Sequence, residues 1–252
     1  MLIHKADGTV DDYEISIVDS ITFIDSTSSI FDDLIVYYPF KGNANDVSGN
    51  GNHGTPLGNA TTTSVLTLNN NNSDRLKVPY NVINGLNDFT ISAKLRIDIL
   101  HGSSPGIGGP CNTLIGSYVG NLFPSNALNI TYNTNFQKWR IEIYPPGNPG
   151  SEHWFDTNTL IEDGNWHHFA FTREGAVVKL FIDGTQIGNG VSYKNSTLLS
   201  DSLGCVIGQE QDSLDGSYDP NQSWAGQMDN IRIYGRALNS QEINLLFNID
   251  GN

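Results

Sequence analysis

The sequence predicts an all-β sandwich in which two antiparallel sheets pack face to face around one apolar core. Residues 88–97 carry the clearest signal, because apolar and polar side chains alternate along them as they do on a half-buried strand. Glycine accounts for 26 residues and charged residues for only 16% of the chain, which suits many short strands joined by turns. At 252 residues the chain has the length of one large all-β domain.

Residues 1–25 are expected to form a small β segment apart from the main domain. Asp7-Gly8 is a turn signal between two short apolar stretches. This segment resembles a short piece found between the membrane anchor and the first domain of some bacterial surface lipoproteins. Residues 26–33 are rich in serine and predict a linker, so residues 34–252 are expected to form the sandwich domain.

Strands of the main domain are predicted from apolar runs bounded by turns. The first covers residues 34–40, where Pro39 indicates an edge or a strand end. Residues 42–54, rich in Gly and Asn, predict a long turn, although Asp46 or His53 could instead line a second ion or ligand site. Further strands are predicted at residues 88–97, 113–118, 127–132, 138–144, 165–172, 176–182, 185–187 and 224–234.

The last third of the chain contains a hairpin signal and a helix start. Asp183-Gly184 between two apolar runs is a strong signal for a two-residue hairpin turn. Asn239 can cap a helix, and Glu242, three residues further on, can reach back to the cap backbone. We therefore expect a short C-terminal helix that packs on the sandwich through its apolar side chains.

The charge of the chain limits its partners. A formal net charge of −14 repels nucleic acid and anionic membranes, whereas it is compatible with cations and with neutral ligands such as glycans. No run of about 20 apolar residues is present, so no transmembrane segment is expected. No signal segment is visible at the start either, so an exported form is expected to be longer than this chain.

Residues 206–213 read as a buried strand that ends in hard oxygen ligands. Glu210 and Asp212 are two positions apart and project to the same side of an extended chain. Asp219 and Gln222 follow in a polar loop that can fold back over them. Calcium takes six to eight oxygen ligands in loose geometry, which such a loop can supply. From spacing alone, a solvated acidic loop explains the pattern equally well.

The order of residues in this loop adds a family resemblance. Residues 208–213, followed by Gln222 and Gly226, resemble the calcium loop of the pentraxins, whose lectin-like sandwich is shared with laminin G domains. The Gly- and Asn-rich turn and the Trp-His-His run at 166–168 resemble laminin G-like domains. The resemblance spans residues 34–248. It implies a concanavalin A-like jelly-roll sandwich with a short C-terminal helix.

By this resemblance, the loop holds Ca²⁺. The implied ligands are the side chains of Asn126, Glu210, Asp212, Asp219 and Gln222 and the backbone carbonyl of Gln211. Ser125 stands where the family has an acid, and Asp219 stands where it usually has Glu. Because the number of carboxylates tunes calcium affinity, these two departures are expected to weaken binding.

The two cysteines leave the redox state open. Cys111 lies in a Gly- and Pro-rich loop and Cys205 in a predicted strand, so one disulfide is possible but not required. The pentraxin disulfide is not implied, because Ser92 and Ala170 stand at the positions that match its cysteines.

The sequence contains no complete catalytic set. His167 and His168 are adjacent on a predicted strand and point to opposite faces, so they cannot hold one ion together. Glu210 and Asp212 match two acids of a laminarinase-type motif, but Leu214 occupies the place of the second Glu. A glycoside hydrolase of the same fold stays an alternative, as does a structural adhesion or spacer domain whose calcium only stiffens a loop.

Two aromatic residues are candidates for stacking on a sugar ring. Tyr218 lies inside the predicted calcium loop, and Trp154 lies in a Gly- and Pro-rich region. Thr131 falls where phosphocholine-binding pentraxins need an apolar residue, so that specificity is not implied. The sequence therefore predicts a non-catalytic, calcium-binding recognition module, at the cell surface or outside the cell, that binds a glycan or glycoconjugate.

Overall fold

The structure is a computed structural model, and it divides into two compact units, residues 1–30 and 31–252. It describes residues 2–4, 10–12, 29–69, 71, 73–98, 111–120, 126–144, 151–157, 161–193, 197–203, 205–211 and 213–251. In the first unit, strand β1 (Leu2–His4) pairs antiparallel with strand β2 (Val10–Asp12).

The second unit contains fourteen described strands, two short 3-10 turns and one helix. The strands are β3 (Leu34–Tyr38), β4 (Thr55–Leu57), β5 (Leu66–Asn69), β6 (Arg75–Lys77), β7 (Phe89–Ile97), β8 (Cys111–Tyr118), β9 (Asn126–Asn133), β10 (Lys138–Ile143), β11 (Ser151–Asp156), β12 (His167–Glu174), β13 (Val177–Ile182), β14 (Thr185–Ser192), β15 (Cys205–Ile207) and β16 (Ala225–Tyr234). The 3-10 turns cover Tyr80–Val82 and Pro220–Gln222, and helix α1 covers Ser240–Asp250.

These strands form two antiparallel sheets. The loop sheet has the order β11-β10-β9-β8-β15-β6-β4, and the helix sheet has the order β14-β13-β12-β7-β16-β3, with β5 also paired to β16. Trp139 from the loop sheet and Phe169 from the helix sheet meet in the core with ring centroids 4.4 Å apart. The predicted all-β sandwich with a short C-terminal helix is confirmed.

Alternation along the strands builds the core, because successive side chains point to opposite faces. On β7, the apolar side chains at alternate positions lie in the core, as residues 88–97 predicted. Leu128 and Ile130 of β9 and Ile141 of β10 do the same in the loop sheet. Asn129 and Glu142 therefore lie on the outer face of that sheet, away from the core.

The local turn signals are confirmed. Asp183 and Gly184 both have positive φ, 50° and 73°, which is the backbone of a tight two-residue turn between β13 and β14. Asn239 caps α1: its side chain accepts hydrogen bonds from the backbone N–H groups of Gln241 and Glu242. The Glu242 carboxylate accepts the Asn239 backbone N–H at 2.8 Å, which completes the capping box.

Helix α1 covers the outer face of the helix sheet and is held there by buried charges. Arg232 on β16 donates two hydrogen bonds of 2.8 Å to the carboxylate of Asp250. The His168 ring lies beside them, with its Nε2 3.0 Å from Ser92 Oγ. Burial lowers the pKa of His168 to about 4, so the ring is neutral near pH 7. No helix of the described ranges is long and apolar enough to cross a membrane.

The structure corrects several points and completes another. The strand expected at residues 206–213 covers only Cys205–Ile207, and Cys111, expected in a loop, is the first residue of β8. Trp154 lies on β11 at the edge of the loop sheet, whereas the sequence placed it in a loop region. The strand β14 reaches Ser192, five residues further than predicted, because its pairing with β13 continues past a register shift near Val178. Cys111 and Cys205 are both buried free thiols, so the disulfide left open by the sequence is not formed.

Candidate functional site

The candidate site begins where β15 ends. Gly208 has φ +86°, a conformation that a side chain would strain, and an added Cβ would lie 2.2 Å from Leu68 Cδ1. The Gly208 N–H donates to the Leu114 carbonyl at 3.0 Å, and the Gly208 carbonyl accepts from the Trp224 N–H at 2.9 Å. These bonds fix the start of the loop against β8 and against Trp224, the residue before β16.

The next residues lie directly on the loop sheet. A Cβ added at Gly116 of β8 would come within 2.8 Å of the Gln209 carbonyl oxygen and 3.2 Å of Glu210 Cα. Only a glycine therefore leaves room for this segment. Glu210 is 8% exposed, and Gln209 and Gln211 are fully buried.

The side chain of Gln211 is used by the backbone around it. Its Nε2 donates to the Gly116 carbonyl at 3.4 Å, and its Oε1 accepts from the Asp215 N–H at 3.0 Å. The side chain is therefore committed to holding the loop. This arrangement leaves the backbone carbonyl as the group of Gln211 that an ion could use, as the family resemblance implies.

Asp219 and Gln222 lie at the two ends of the second 3-10 turn. Asp219 caps that turn: one of its carboxylate oxygens accepts from the Asn221 backbone N–H at 2.9 Å and from its side-chain amide at 3.0 Å. Gln222 Oε1 is buried and has no hydrogen-bond partner among the described residues. The turn packs against β8, the strand that the backbone of Glu210 also packs against.

Two of the predicted ligands fall outside what the structure describes. Asp212 is not among the described residues, and Asn126 is described only as the first residue of β9, without its side chain. Across the described ranges, no three His, Cys, Asp or Glu side chains come together as possible metal ligands. A cation here would depend on amide and carbonyl oxygens as well as on carboxylates.

The donor set fits calcium in chemical kind. Calcium accepts carboxylate, amide and backbone carbonyl oxygens. A buried oxygen without a donor costs about 1–3 kcal/mol, so native structures rarely leave one unless another group pairs with it. The unpartnered Oε1 of Gln222 is such an oxygen, and it belongs to a residue that the sequence singled out as a ligand.

A basic pair from β6 holds the far side of the loop. Lys77 Nζ donates to the Asp215 carboxylate at 3.0 Å, and the Tyr218 hydroxyl donates to it at 2.9 Å. Arg75 lies over the Tyr218 ring with its guanidinium carbon 4.1 Å from the centroid. Burial acts to raise the pKa of Asp215, but the hydrogen bonds from Lys77 and Tyr218 lower it overall. One face of Tyr218 is thus occupied, and a ligand could contact only the opposite face.

Trp154 forms an aromatic corner with Phe136 at the edge of the loop sheet. The two rings meet edge to face with centroids 5.4 Å apart, and Phe136, in the turn between β9 and β10, is 52% exposed. The Trp154 Nε1–H donates to Glu152 at 2.6 Å. These three residues and Lys138 line a pocket of about 270 Å³. The sequence did not indicate Phe136, because its contact with Trp154 depends on the pairing of β10 with β11.

Glu142 is a buried carboxylate on the outer face of the loop sheet that sequence reasoning missed. It accepts hydrogen bonds from Arg140 at 2.6 Å, from the Tyr144 hydroxyl at 2.7 Å and from Asn129 Nδ2 at 3.2 Å. Burial raises its pKa, although Arg140 and Tyr144 act against that rise. Its oxygens are held by protein donors.

The histidine pair and the long turn have structural partners. His167 Nδ1 lies 2.8 Å from Asp183 and its Nε2 lies 3.1 Å from Asp163, whereas His168 lies under α1. In the long turn, Asp46 accepts hydrogen bonds from the backbone N–H groups of Tyr37 and two turn residues, Ser48 and Asn52. Asp46 therefore shapes the turn, as the structural interpretation of that segment predicted.

Comparison with known families gives one match along most of the chain. A family described as "Concanavalin A-like lectin/glucanases superfamily" matches residues 70–244. Among curated proteins, neuronal pentraxin-1 of Rattus norvegicus is 37% identical over 87 residues, which cover 33% of this chain and 20% of the pentraxin. Neuronal pentraxin-2 of Homo sapiens is 32% identical over 100 residues, covering 37% and 23%. The chain thus spans about a fifth of the length of these relatives.

Solved structures share the fold at low sequence identity. The binding domain of botulinum neurotoxin DC, solved in complex with rat synaptotagmin II, has a TM-score of 0.65 and 19% identity, over 88% of this chain and 52% of its own. A second structure of that domain, in complex with SialylT, has a TM-score of 0.64 and 18% identity, over 88% and 52%. The heptameric SAP-like pentraxin from Limulus polyphemus has a TM-score of 0.50 and 16% identity, over 64% and 70%.

Proposed function

The chain belongs to the concanavalin A-like lectin/glucanases superfamily, and we propose that it is a non-catalytic recognition module that binds Ca²⁺ and, with it, carbohydrate. The calcium ligands would be Asn126, Glu210, Gln211, Asp212, Asp219 and Gln222. The module would act at the cell surface or outside the cell. Its sequence relatives among the pentraxins support the family context of the loop.

One observation carries the calcium part of the proposal. Gln222 Oε1 is buried and without a donor among the described residues, in a turn that packs against β8, and the buried Glu210 also packs against β8. An ion between these groups would pair the amide oxygen and neutralise the carboxylate. Burial of that amide oxygen without such a partner would cost free energy, because it could not be hydrated.

Thermal unfolding tests the calcium part. Ligand binding to the folded state stabilises it by mass action, by about 2.7 kcal/mol when free Ca²⁺ is 100 times its Kd. We expect Ca²⁺ to raise the melting temperature of the wild type and to leave that of Asp212→Ala unchanged. Glu174→Gln, which removes an exposed acid of β12, serves as the control and should respond as the wild type does. Calorimetry without a binding heat at millimolar Ca²⁺ would contradict the proposal.

The carbohydrate part rests on the charge of the chain, the coordination chemistry of calcium and an exposed aromatic corner. A net charge of −14 leaves few positive regions, so a bound cation would create local positive potential at the loop. Calcium with open coordination positions can take two sugar hydroxyls in place of water. The Phe136–Trp154 corner, with Glu152 and Lys138 beside it, offers apolar faces and hydrogen-bonding groups together. A sandwich of similar fold has been solved with SialylT.

A glycan array read in Ca²⁺ and again in EDTA tests the carbohydrate part. We expect weak signals in Ca²⁺ that disappear in EDTA and decrease in Trp154→Ala and in Tyr218→Ala. Trp166→Ala is the matched control, because Trp166 lies against Lys94 and Arg96 of the helix sheet. Identical signals in Ca²⁺ and EDTA would contradict a calcium-dependent lectin. The absence of any binding signal on a broad glycan array would favour the structural adhesion or spacer domain.

The hydrolase alternative is tested by reducing-end release. Leu214 is partly exposed and stands where a laminarinase-type motif has its second Glu, and Glu142 is engaged by Arg140, Tyr144 and Asn129. We therefore expect no release of reducing ends from β-glucans. Release that is lost in Glu210→Gln would overturn the non-catalytic part of the proposal.

A further inference from the structure

Asn129 is a buried amide on the outer face of the loop sheet. The residue is on β9, on the outer face of the loop sheet, and is 1% exposed. Its Nδ2 donates to Glu142 Oε2 at 3.2 Å. Its Oδ1 is buried and has no hydrogen-bond partner in the part of the chain that the structure describes.

Glu142 fixes the orientation of this amide. An ionised carboxylate can only accept hydrogen bonds, so the amide nitrogen must face it and the amide oxygen must face away. Arg140 and the Tyr144 hydroxyl hold Glu142 in turn, at 2.6 Å and 2.7 Å. The oxygen of Asn129 is therefore preorganised by two layers of contacts, an arrangement common around metal ligands.

The register of the sheet places Asn129 next to the candidate calcium loop. Asn129 pairs with Gly116 on β8, and paired residues of antiparallel strands have Cα atoms about 5 Å apart. The backbone of Gln209 and Glu210 lies directly over Gly116. Glu142 of β10 pairs with Asn129 from the other side and accepts the hydrogen bond of its amide nitrogen.

We propose that Asn129 Oδ1 is a further calcium ligand, oriented by Glu142. This inference rests on the proposed function. An ion suits the position better than a sugar, because a residue that is 1% exposed cannot meet a pyranose ring. A dehydrated cation needs only the oxygens that point at it.

Isothermal titration calorimetry with Ca²⁺ alone tests the proposal. Asn129→Leu keeps the volume of the side chain and removes the oxygen, and we expect its Kd for Ca²⁺ to rise about tenfold or more. Asn129→Asp adds a carboxylate beside Glu142. We expect this variant to melt earlier than the wild type without calcium and to bind Ca²⁺ more tightly, because it gains a charged ligand. Thr131→Val, two residues along the same strand, is the isosteric control and should bind as the wild type does.

The outcomes separate this inference from the proposed function. If the wild type, Asn129→Leu and Asn129→Asp all bind Ca²⁺ with equal affinity, Asn129 is not a ligand and the loop site stands. Wild type without a binding heat at millimolar Ca²⁺ overturns both. Weaker binding in Asn129→Leu together with tighter binding in Asn129→Asp supports direct coordination.

Discussion

The outer faces of the two sheets differ in how their buried polar groups are paired. On the helix sheet, buried Arg232 is paired with Asp250, and Arg236 is paired with Glu242, which also closes the helix cap. On the side of the loop sheet, buried oxygens of Asn129 and Gln222 have no hydrogen-bond partner among the described residues. The buried charges of the first face are paired within the protein, whereas the second face has buried oxygens that could take an additional partner.

This difference indicates which face of the fold is suited to bind an additional ligand. A buried charge without its partner costs several kcal/mol, so removing the partner of Arg232 is expected to destabilise the fold. An unpartnered neutral oxygen costs less, about 1–3 kcal/mol, and a domain of this size can tolerate a few. Under the helix, His168 Nδ1 also has no hydrogen-bond partner among the described residues, but the ring is neutral near pH 7 and adds no hard oxygen ligand.

The largest effect is expected from breaking the helix clamp. Asp250→Ala leaves Arg232 buried without its carboxylate, and we expect a loss of about 3–5 kcal/mol in the free energy of unfolding. Urea unfolding followed by circular dichroism measures this loss. Calcium affinity should be unchanged, because the clamp is on the opposite sheet. A loss below 1 kcal/mol would show that the helix face does not depend on this pair.

A smaller effect is expected from crowding the loop face. Gly116→Ala places a Cβ 2.8 Å from the Gln209 carbonyl oxygen, so the Glu210 segment must shift; overpacking of this kind costs about 1–3 kcal/mol. Calcium binding should weaken with it. At Gly235, an added Cβ would lie 3.6 Å from its nearest neighbour, so Gly235→Ala is the matched control. Equal calcium affinities in the two variants would contradict the position assigned to the loop.

Loss of the helix cap should cost about 1 kcal/mol. Asn239→Ala removes the acceptor for two backbone N–H groups at the start of α1. The midpoint of urea unfolding should fall, while the calcium-induced rise in melting temperature stays as in the wild type. A change in that rise would show that the two faces are coupled.

The smallest effect is a pH dependence on the helix sheet. Hydrogen bonds to Asp183 and Asp163 raise the pKa of His167 above its ordinary value of about 6.5, although burial acts against them. A raised pKa adds stability that is complete below about pH 6.5 and is lost as the pH rises through the folded-state value. The stability difference between wild type and His167→Gln should therefore shrink as the pH rises above about 6.5. A difference that stays constant between pH 6 and 9 would contradict this assignment.

Local chemistry explains what the sequence could predict. The Asn239 cap and the Asp183-Gly184 turn depend on residues within a few positions of each other, and both are confirmed. The strand β11 escaped prediction because Gly and Pro precede it, and its pairing with β10 is what places Trp154 at a sheet edge. Asn129 pairs with Gly116 on one side and with Glu142 on the other because of the register between three strands. No local sequence pattern specifies that register.

The calcium loop was predictable from the sequence only in part. Its residues were identified from their order along the chain, and the structure places Glu210 over Gly116 and leaves Gln222 Oε1 without a donor in the described ranges. The side chain of Asn126 and the whole of Asp212 lie outside the described residues, so their roles stay predictions. Arg75 and Lys77 were missed because their contact with Asp215 spans more than 130 residues of sequence.

An anomalous difference map from a crystal soaked in Ca²⁺ shows directly whether the loop binds calcium. We predict a peak between the loop and the outer face of the loop sheet, with oxygens of Glu210, Asp212, Gln222 and Asn129 at about 2.3–2.6 Å from it. Coordination positions left to water would be the places for a sugar. A map without a peak at this loop, collected from crystals in millimolar Ca²⁺, would contradict the account.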